Sequence, residues 1–321
     1  MPFWLEVRRE GMANQAYIDR CGEQVFSPPF SAIMRDYFGL AVRADHEALN
    51  HNICKRYFND PLGEPGRFMA FRYVIFVFNN VENACSLANE DAGLFSYQEA
   101  AIWMLIGDKK TARLRWFQPY IFVDDPVALV TGREIYGFPK TIGSFGIPGG
   151  PTPPDRLWVR TRLVKEKKTE GSDQLLIEAR RRPQSAAHCR GCGENDFMAR
   201  LLDVLRVSPE YFRKLGDVTE EMAENFYNDL IKMQLPLLFL REFRSAVNPL
   251  RAEGLVIQEA QSQIMDFYNA GIYEGSSYEV AINDAVSHPI RKDLGLDAGI
   301  LGVDLAFYMS FSFKLGTCTR I

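Results

Sequence analysis

Apolar and polar positions along this chain alternate mostly with a two-residue period. Segments 37–43, 71–78 and 157–164 are short and rich in β-branched and aromatic side chains, the pattern of strands that bury one face or both. Similar stretches predict strands at 97–106, 119–123, 127–135, 174–180, 236–244, 254–261, 278–283 and 303–315. Many strands with few helices between them predict a mainly antiparallel β fold with inserted helices (α+β), closed as a barrel or cone, rather than a doubly wound parallel sheet.

Two stretches change to helical spacing. Asp45 is a candidate N-cap for a helix running to about Tyr57, with Ala48, Leu49, Ile53 and Tyr57 forming its apolar stripe. The stretch 194–233 carries Phe197, Leu201, Val204 and Leu205, then Met222, Phe226, Leu230 and Met233, and predicts helices within an insertion at about 183–233. Residues 146–154 are too dense in Gly and Pro for a regular element. Since the strands on either side look alike, they predict a long connection inside one domain spanning 1–321 rather than a linker between two.

Composition narrows the class. Hydrophobic residues make up 47% and charged residues 24% of the 321 positions, which places the chain among folded globular proteins and away from disordered ones. A net charge of -4 argues against a general nucleic-acid binder, which needs a concentrated basic surface. The runs at 165–168 and 180–182 are basic but short, and fit the flanks of one exposed hairpin. The start of the chain lacks the pattern of a signal peptide, and apolar runs such as 235–240 fall far short of the roughly 20 residues that span a bilayer. The expectation is a soluble protein that binds no membrane.

Six cysteines, at 21, 54, 85, 189, 192 and 318, are too sparse for a disulfide scaffold in a chain of this size and fit reduced thiols in a cytoplasm. Cys189 and Cys192, preceded by His188, have the spacing of half a zinc site but lack a second pair, so ordinary thiols are expected. His46, His51, His188 and His288 show no paired-ligand spacing, and no metal is expected.

Chemistry concentrates at Lys140. An apolar run, 127–130, leads through Gly132, Arg133 and Glu134 into Tyr136, Gly137, Phe138 and Pro139, and then into the lysine. Read as a strand that Pro139 ends, this segment delivers Lys140 among Tyr136, Phe138, Ile142 and Phe145. Such surroundings strip water from the amine and favour its neutral form. A neutral lysine adds to a ketone and forms an iminium, which accepts the electron pair of an adjacent bond as it breaks.

The run Gly132-Arg133-Glu134, followed by Phe138-Pro139-Lys140 and then Gly143, resembles the signature of the acetoacetate decarboxylase family. Lys140 takes the place of that family's Schiff-base lysine. The stretch from Met34 to Leu49 is similar to the segment bearing the family's active-site arginine, which matches Arg35. Ser96-Tyr97-Gln98-Glu99 is similar to the stretch that supplies its glutamate, which matches Glu99, and 277–281 resembles a late barrel strand. The resemblance implies a homo-oligomeric enzyme that takes a keto acid and needs no cofactor. It gives catalytic roles to Lys140, Glu99 and Arg35, and substrate contacts to Arg35, Tyr136 and Phe138.

Two departures stand out. Thr141 replaces a second lysine, whose charge beside Lys140 would favour the neutral amine. A second acidic residue of the family's site falls near Val74 and is missing. The expected reaction is decarboxylation of a β-keto acid. The same iminium would also serve an aldolase, dehydratase or cyclase acting on another keto acid, and the same fold would serve a binding protein without catalysis.

Overall fold

The computed structural model describes residues 17, 25–89, 91, 93–182, 189–191, 219–248, 250–273 and 277–321. Its strands are β1 (Phe30–Arg43), β2 (Phe68–Ser86), β3 (Phe95–Asp108), β4 (Arg113–Val123), β5 (Lys140–Ile142), β6 (Ser144–Gly146), β7 (Arg156–Leu163), β8 (Ser172–Arg181), β9 (Cys189–Gly191), β10 (Gln234–Arg244), β11 (Ala252–Tyr273), β12 (Tyr278–Ile282), β13 (Leu301–Gly302) and β14 (Leu305–Arg320).

The larger sheet runs β10-β11-β14-β1-β2-β3-β4-β5, with β9 beside the end of β11. Its neighbours are antiparallel except at β4–β5 and where β10 meets β4 through Leu237 and Trp116. That last contact curls the sheet into a ring. The smaller sheet, β13-β12-β8-β7-β6, is antiparallel throughout.

Strand β2 shows why the ring holds. Its apolar run is continuous rather than alternating because both faces are buried. Val74, Phe76 and Phe78 join a core shared with Val159, Ile177 and Val280 of the smaller sheet. Tyr73, Ile75 and Val77 face the interior of the ring with Phe307, Met309 and Phe311 of β14. Each fully buried side chain of this kind contributes on the order of 1.5–3 kcal/mol, so a polar residue on either face would be costly.

The helix at Asp45 starts as expected. The Asp45 carboxylate accepts from the Ala48 N–H at 2.7 Å and caps His46–Leu49. The chain then widens into a π-helical stretch, Asn50–Asn59, and a final turn, Asp60–Leu62. Wider turns lengthen the repeat, so the buried stripe is Leu49, Ile53, Cys54 and Phe58, with Tyr57 displaced to partial burial.

The strand expected over 127–135 is not formed. Pro126–Thr131 is a helix that continues as a π-helical turn over Gly132–Tyr136. Asp125 caps it by accepting from the Ala128 N–H at 2.7 Å, and Pro126 occupies the first turn, where a missing N–H costs nothing. An Asp-Pro start outweighs the strand propensity of the apolar run that follows.

Residues 146–154 connect β6 to β7, two paired strands of one sheet. This stretch is pinned where the Gly150 N–H donates to Asp36 at 2.7 Å and where the hydroxyls of Tyr273 and Tyr278 donate to the Pro151 and Pro154 carbonyls. Of the insertion expected at 183–233, most lies outside the described residues, as do His188 and Cys192. Its described parts are β9 and the helix Glu220–Ile231, whose Met222 and Phe226 are buried against the ring near Trp116. Among the described residues, no helix is long and apolar enough to cross a membrane.

Candidate active site

The interior of the ring holds a cavity of about 170 Å³, counted as space open to the centres of water molecules. Side chains from β1, β2, β3, β4, β5, β10, β11 and β14 line it. Most are aromatic or aliphatic, and Lys140 and Glu99 are the only charged ones among the lining residues.

Lys140 is placed by the turn that precedes it. Gly137 takes a left-handed conformation (φ +84°), which a side chain disfavours, and a β-carbon there would lie 2.5 Å from the Arg241 Cα. The Gly137 and Phe138 N–H groups both donate to the Gly132 carbonyl at 3.1 Å, and the Lys140 N–H donates to the Phe138 carbonyl at 2.8 Å. The Gln258 amide braces the turn by donating to the Ile135 and Tyr136 carbonyls. Lys140 therefore opens β5, paired with Ile121 of β4, instead of closing a strand.

The motif ahead of the lysine is explained by these contacts. Gly132 leaves room for the lysine stem, since a β-carbon there would lie 2.8 Å from its Cδ. Arg133 donates to the Lys140 carbonyl at 3.0 Å. Glu134 points away and accepts from the Tyr17 hydroxyl at 3.0 Å. All three position the segment, and none lines the cavity with a charge.

Glu99 arrives from β3, where it pairs with Val123 of β4, two residues along from the partner of Lys140. The register brings a Glu99 oxygen to 3.4 Å from the Lys140 Nζ, and both residues are buried, at 8% and 6% exposure. The amine lies 5.0 Å from the Tyr97 ring centroid and 5.4 Å from that of Phe138, within range of cation–π attraction. Tyr136 and Phe138 both line the cavity, with the Tyr136 hydroxyl donating to the Gly316 carbonyl at 3.0 Å.

Arg35 is not brought to this site. It is exposed, whereas Met34 and Tyr37 line the cavity. The register of β1 against both of its neighbours shifts between Met34 and Tyr37, and such a bulge reverses which residues face inward. Asp36, beside Arg35, is buried and accepts from Asn80, Gly150 and Tyr308. Thr141 also lies off the cavity, beside a separate shallow groove with Ile142, Ser144 and Thr161. Adjacent strand residues face opposite ways, so a cation at 141 would not stand beside the amine, and its loss matters less than the sequence alone suggested.

Tyr37, Tyr97 and Gln118 are among the lining residues that went unrecognised in the sequence. Tyr37 and Tyr97 are partly buried near Glu99, and both that burial and the carboxylate push their hydroxyls above the ordinary tyrosine value. Gln118, on β4, is 6% exposed, and its Oε1 has no hydrogen-bond partner among the described residues. Alternation within β1, β3 and β4 is the signal that marks these positions, but only once the inward face is known.

No family model matches the chain, and no curated protein matches it in sequence. Solved structures do. The chain has the acetoacetate decarboxylase-like fold. It is similar to acetoacetate decarboxylase from Legionella pneumophila subsp. pneumophila str. Philadelphia 1 at a TM-score of 0.60 and 13% identity, over 97% of this chain and 93% of that one. An acetoacetate decarboxylase-like enzyme from Sphingomonas wittichii RW1 aligns at 0.57 and 13% identity, over 96% and 99% of the two chains. The enduracididine biosynthesis enzyme MppR complexed with pyruvate aligns at 0.54 and 12% identity, over 92% and 91%.

Proposed function

We propose that this protein is a carbon–carbon lyase that decarboxylates a β-keto acid through an imine on Lys140. The observation that carries this reading is a buried lysine amine 3.4 Å from a buried carboxylate inside an otherwise apolar cavity. Lysine is the side chain that forms an iminium with a ketone, and an adjacent carboxylate takes and returns the protons that each step moves.

In the proposed reaction, neutral Lys140 adds to the keto carbon, forming a C–N bond. Two protons pass from the nitrogen through Glu99 to the keto oxygen, one taken from the ammonium before the C–N bond forms and one after it, so the oxygen leaves as water and one proton stays on the iminium nitrogen. The bond to the carboxylate carbon then breaks, its electron pair moves into the iminium, and carbon dioxide leaves. A proton adds to the enamine carbon, and water cleaves the C–N bond to release the ketone and the free amine. No lining cation other than the nitrogen itself holds the substrate carboxylate, so loss of carbon dioxide relieves a charge held in apolar surroundings beside Glu99. Tyr136 and Phe138 form the wall against which the substrate rests.

A second reading, condensation of a keto acid with an aldehyde, uses the same iminium. It is supported by one fold neighbour, MppR, which has been captured with the condensation product of pyruvate and imidazole 4-carboxaldehyde. Borohydride reduction in the presence of acetoacetate, with peptide mass spectrometry, tests both. The expected result is a reduced adduct on Lys140 that Lys140→Ala abolishes, and carbon dioxide release without an aldehyde favours the decarboxylase.

A further inference from the structure

We infer that the keto acid carries a long apolar tail beyond its ketone, lying along the inward face of β14; this rests on the imine reading above. Room is the first argument. A buried group of side-chain size touches about 6–12 residues, whereas 29 residues line this cavity, so acetoacetate, with about seven non-hydrogen atoms, reaches only part of the lining. A short acid would leave much of the cavity unfilled.

Shape and chemistry give the second argument. Phe307, Met309, Phe311, Phe313 and Leu315 all line the cavity from β14, alternating along a stretch of about 26 Å at about 3.3 Å per residue. This stripe joins the reacting end through Tyr37, whose ring stacks on Phe307 with centroids 6.3 Å apart and meets Phe311 at 5.6 Å. Nothing along the stripe is charged, so an ionised tail would be desolvated without compensation. An alkyl or aryl tail instead gains burial with every carbon.

The test is borohydride trapping with a series of freshly prepared 3-oxo acids, from acetoacetate through 3-oxohexanoate and 3-oxodecanoate to 3-oxohexadecanoate, each below its micelle threshold. The concentration giving half-maximal labelling of Lys140 is expected to fall by about fourfold per added methylene and to level off before the longest acid. In Phe313→Ala the levelling is expected at longer chains. Equal half-labelling concentrations across the series, with Lys140 still labelled, would overturn the tail and leave the imine reading standing. Labelling of Lys140 by none of the acids would overturn both.

Discussion

A β-carbon on Gly132 would lie 2.8 Å from Cδ and 2.9 Å from Cε of Lys140, so the lysine stem passes across bare backbone. Gly132 itself is in the right-handed helical region, at φ -61°, where alanine adopts the backbone without strain. Gly132→Ala therefore acts on the lysine rather than on the fold. A displacement of about 1 Å at a reacting group costs on the order of 10²-fold in rate. Adduct formation on Lys140 is expected to slow by about that factor, while the urea midpoint stays close to that of the parent. Equally fast labelling would mean that the stem simply moves aside.

Glu99→Gln keeps the shape of the side chain and removes its capacity to exchange protons. The expected result is a drop of about 10²–10⁴-fold in carbon dioxide release in a single turnover. Labelling of Lys140 should persist after long incubation, because the amine remains. A decrease of less than about fivefold would reduce Glu99 to an ion-pair partner of little consequence.

Much of this architecture was legible in the chain, and what was missed has definite causes. Strand content followed from alternation, and the helix start at Asp45 from its cap. Val127-Ala128-Leu129-Val130 fits strand and helix equally, and the choice lies in the Asp125-Pro126 step before it. Arg35 was placed by order along the chain, but the bulge between Met34 and Tyr37 turns it outward, and no two-residue period reveals a bulge. Lys140 stood out by its neighbours, whereas its approach to Glu99 depends on the registers of β3, β4 and β5.

Stability should depend strongly on Asp108, which is fully buried on β3. Both of its oxygens accept from Arg67 at 2.9 Å, and it also accepts from Thr111, Arg115 and the Lys110 N–H. Burial pushes its carboxyl up, but the hydrogen bonds from Arg67, Thr111 and the Lys110 backbone outweigh this and hold it below the ordinary aspartate value. A folded pKa below the unfolded one gives stability that is fully present above the unfolded value of about 3.9 and is lost as pH falls through the folded one. Asp108→Asn removes the carboxylate that the buried Arg67 and Arg115 share, leaving them Glu64 and Glu259 as their remaining carboxylate partners, and is expected to cost about 1–3 kcal/mol at neutral pH. The measurement is urea unfolding at pH 7 and at acid pH, and the difference between the two proteins should shrink at the acid end.

Gln118 should separate stability from ligand capture. Its buried Oε1 has no partner among the described residues, and an unpaired buried polar atom costs on the order of 1–3 kcal/mol. Methionine is close in length, has no strong acceptor to satisfy and adapts to irregular space. Gln118→Met in the ligand-free protein is therefore expected to raise the urea midpoint, at unchanged slope, by the equivalent of about 1 kcal/mol. Substrate sites often hold polar groups that are satisfied only when ligand arrives, at a cost to the free protein. On that ground the more stable variant should also label more slowly at Lys140 with the 3-oxo acid that best fills the cavity. A variant that gains stability and labels at the parent rate would make Gln118 a packing residue with no part in recognition.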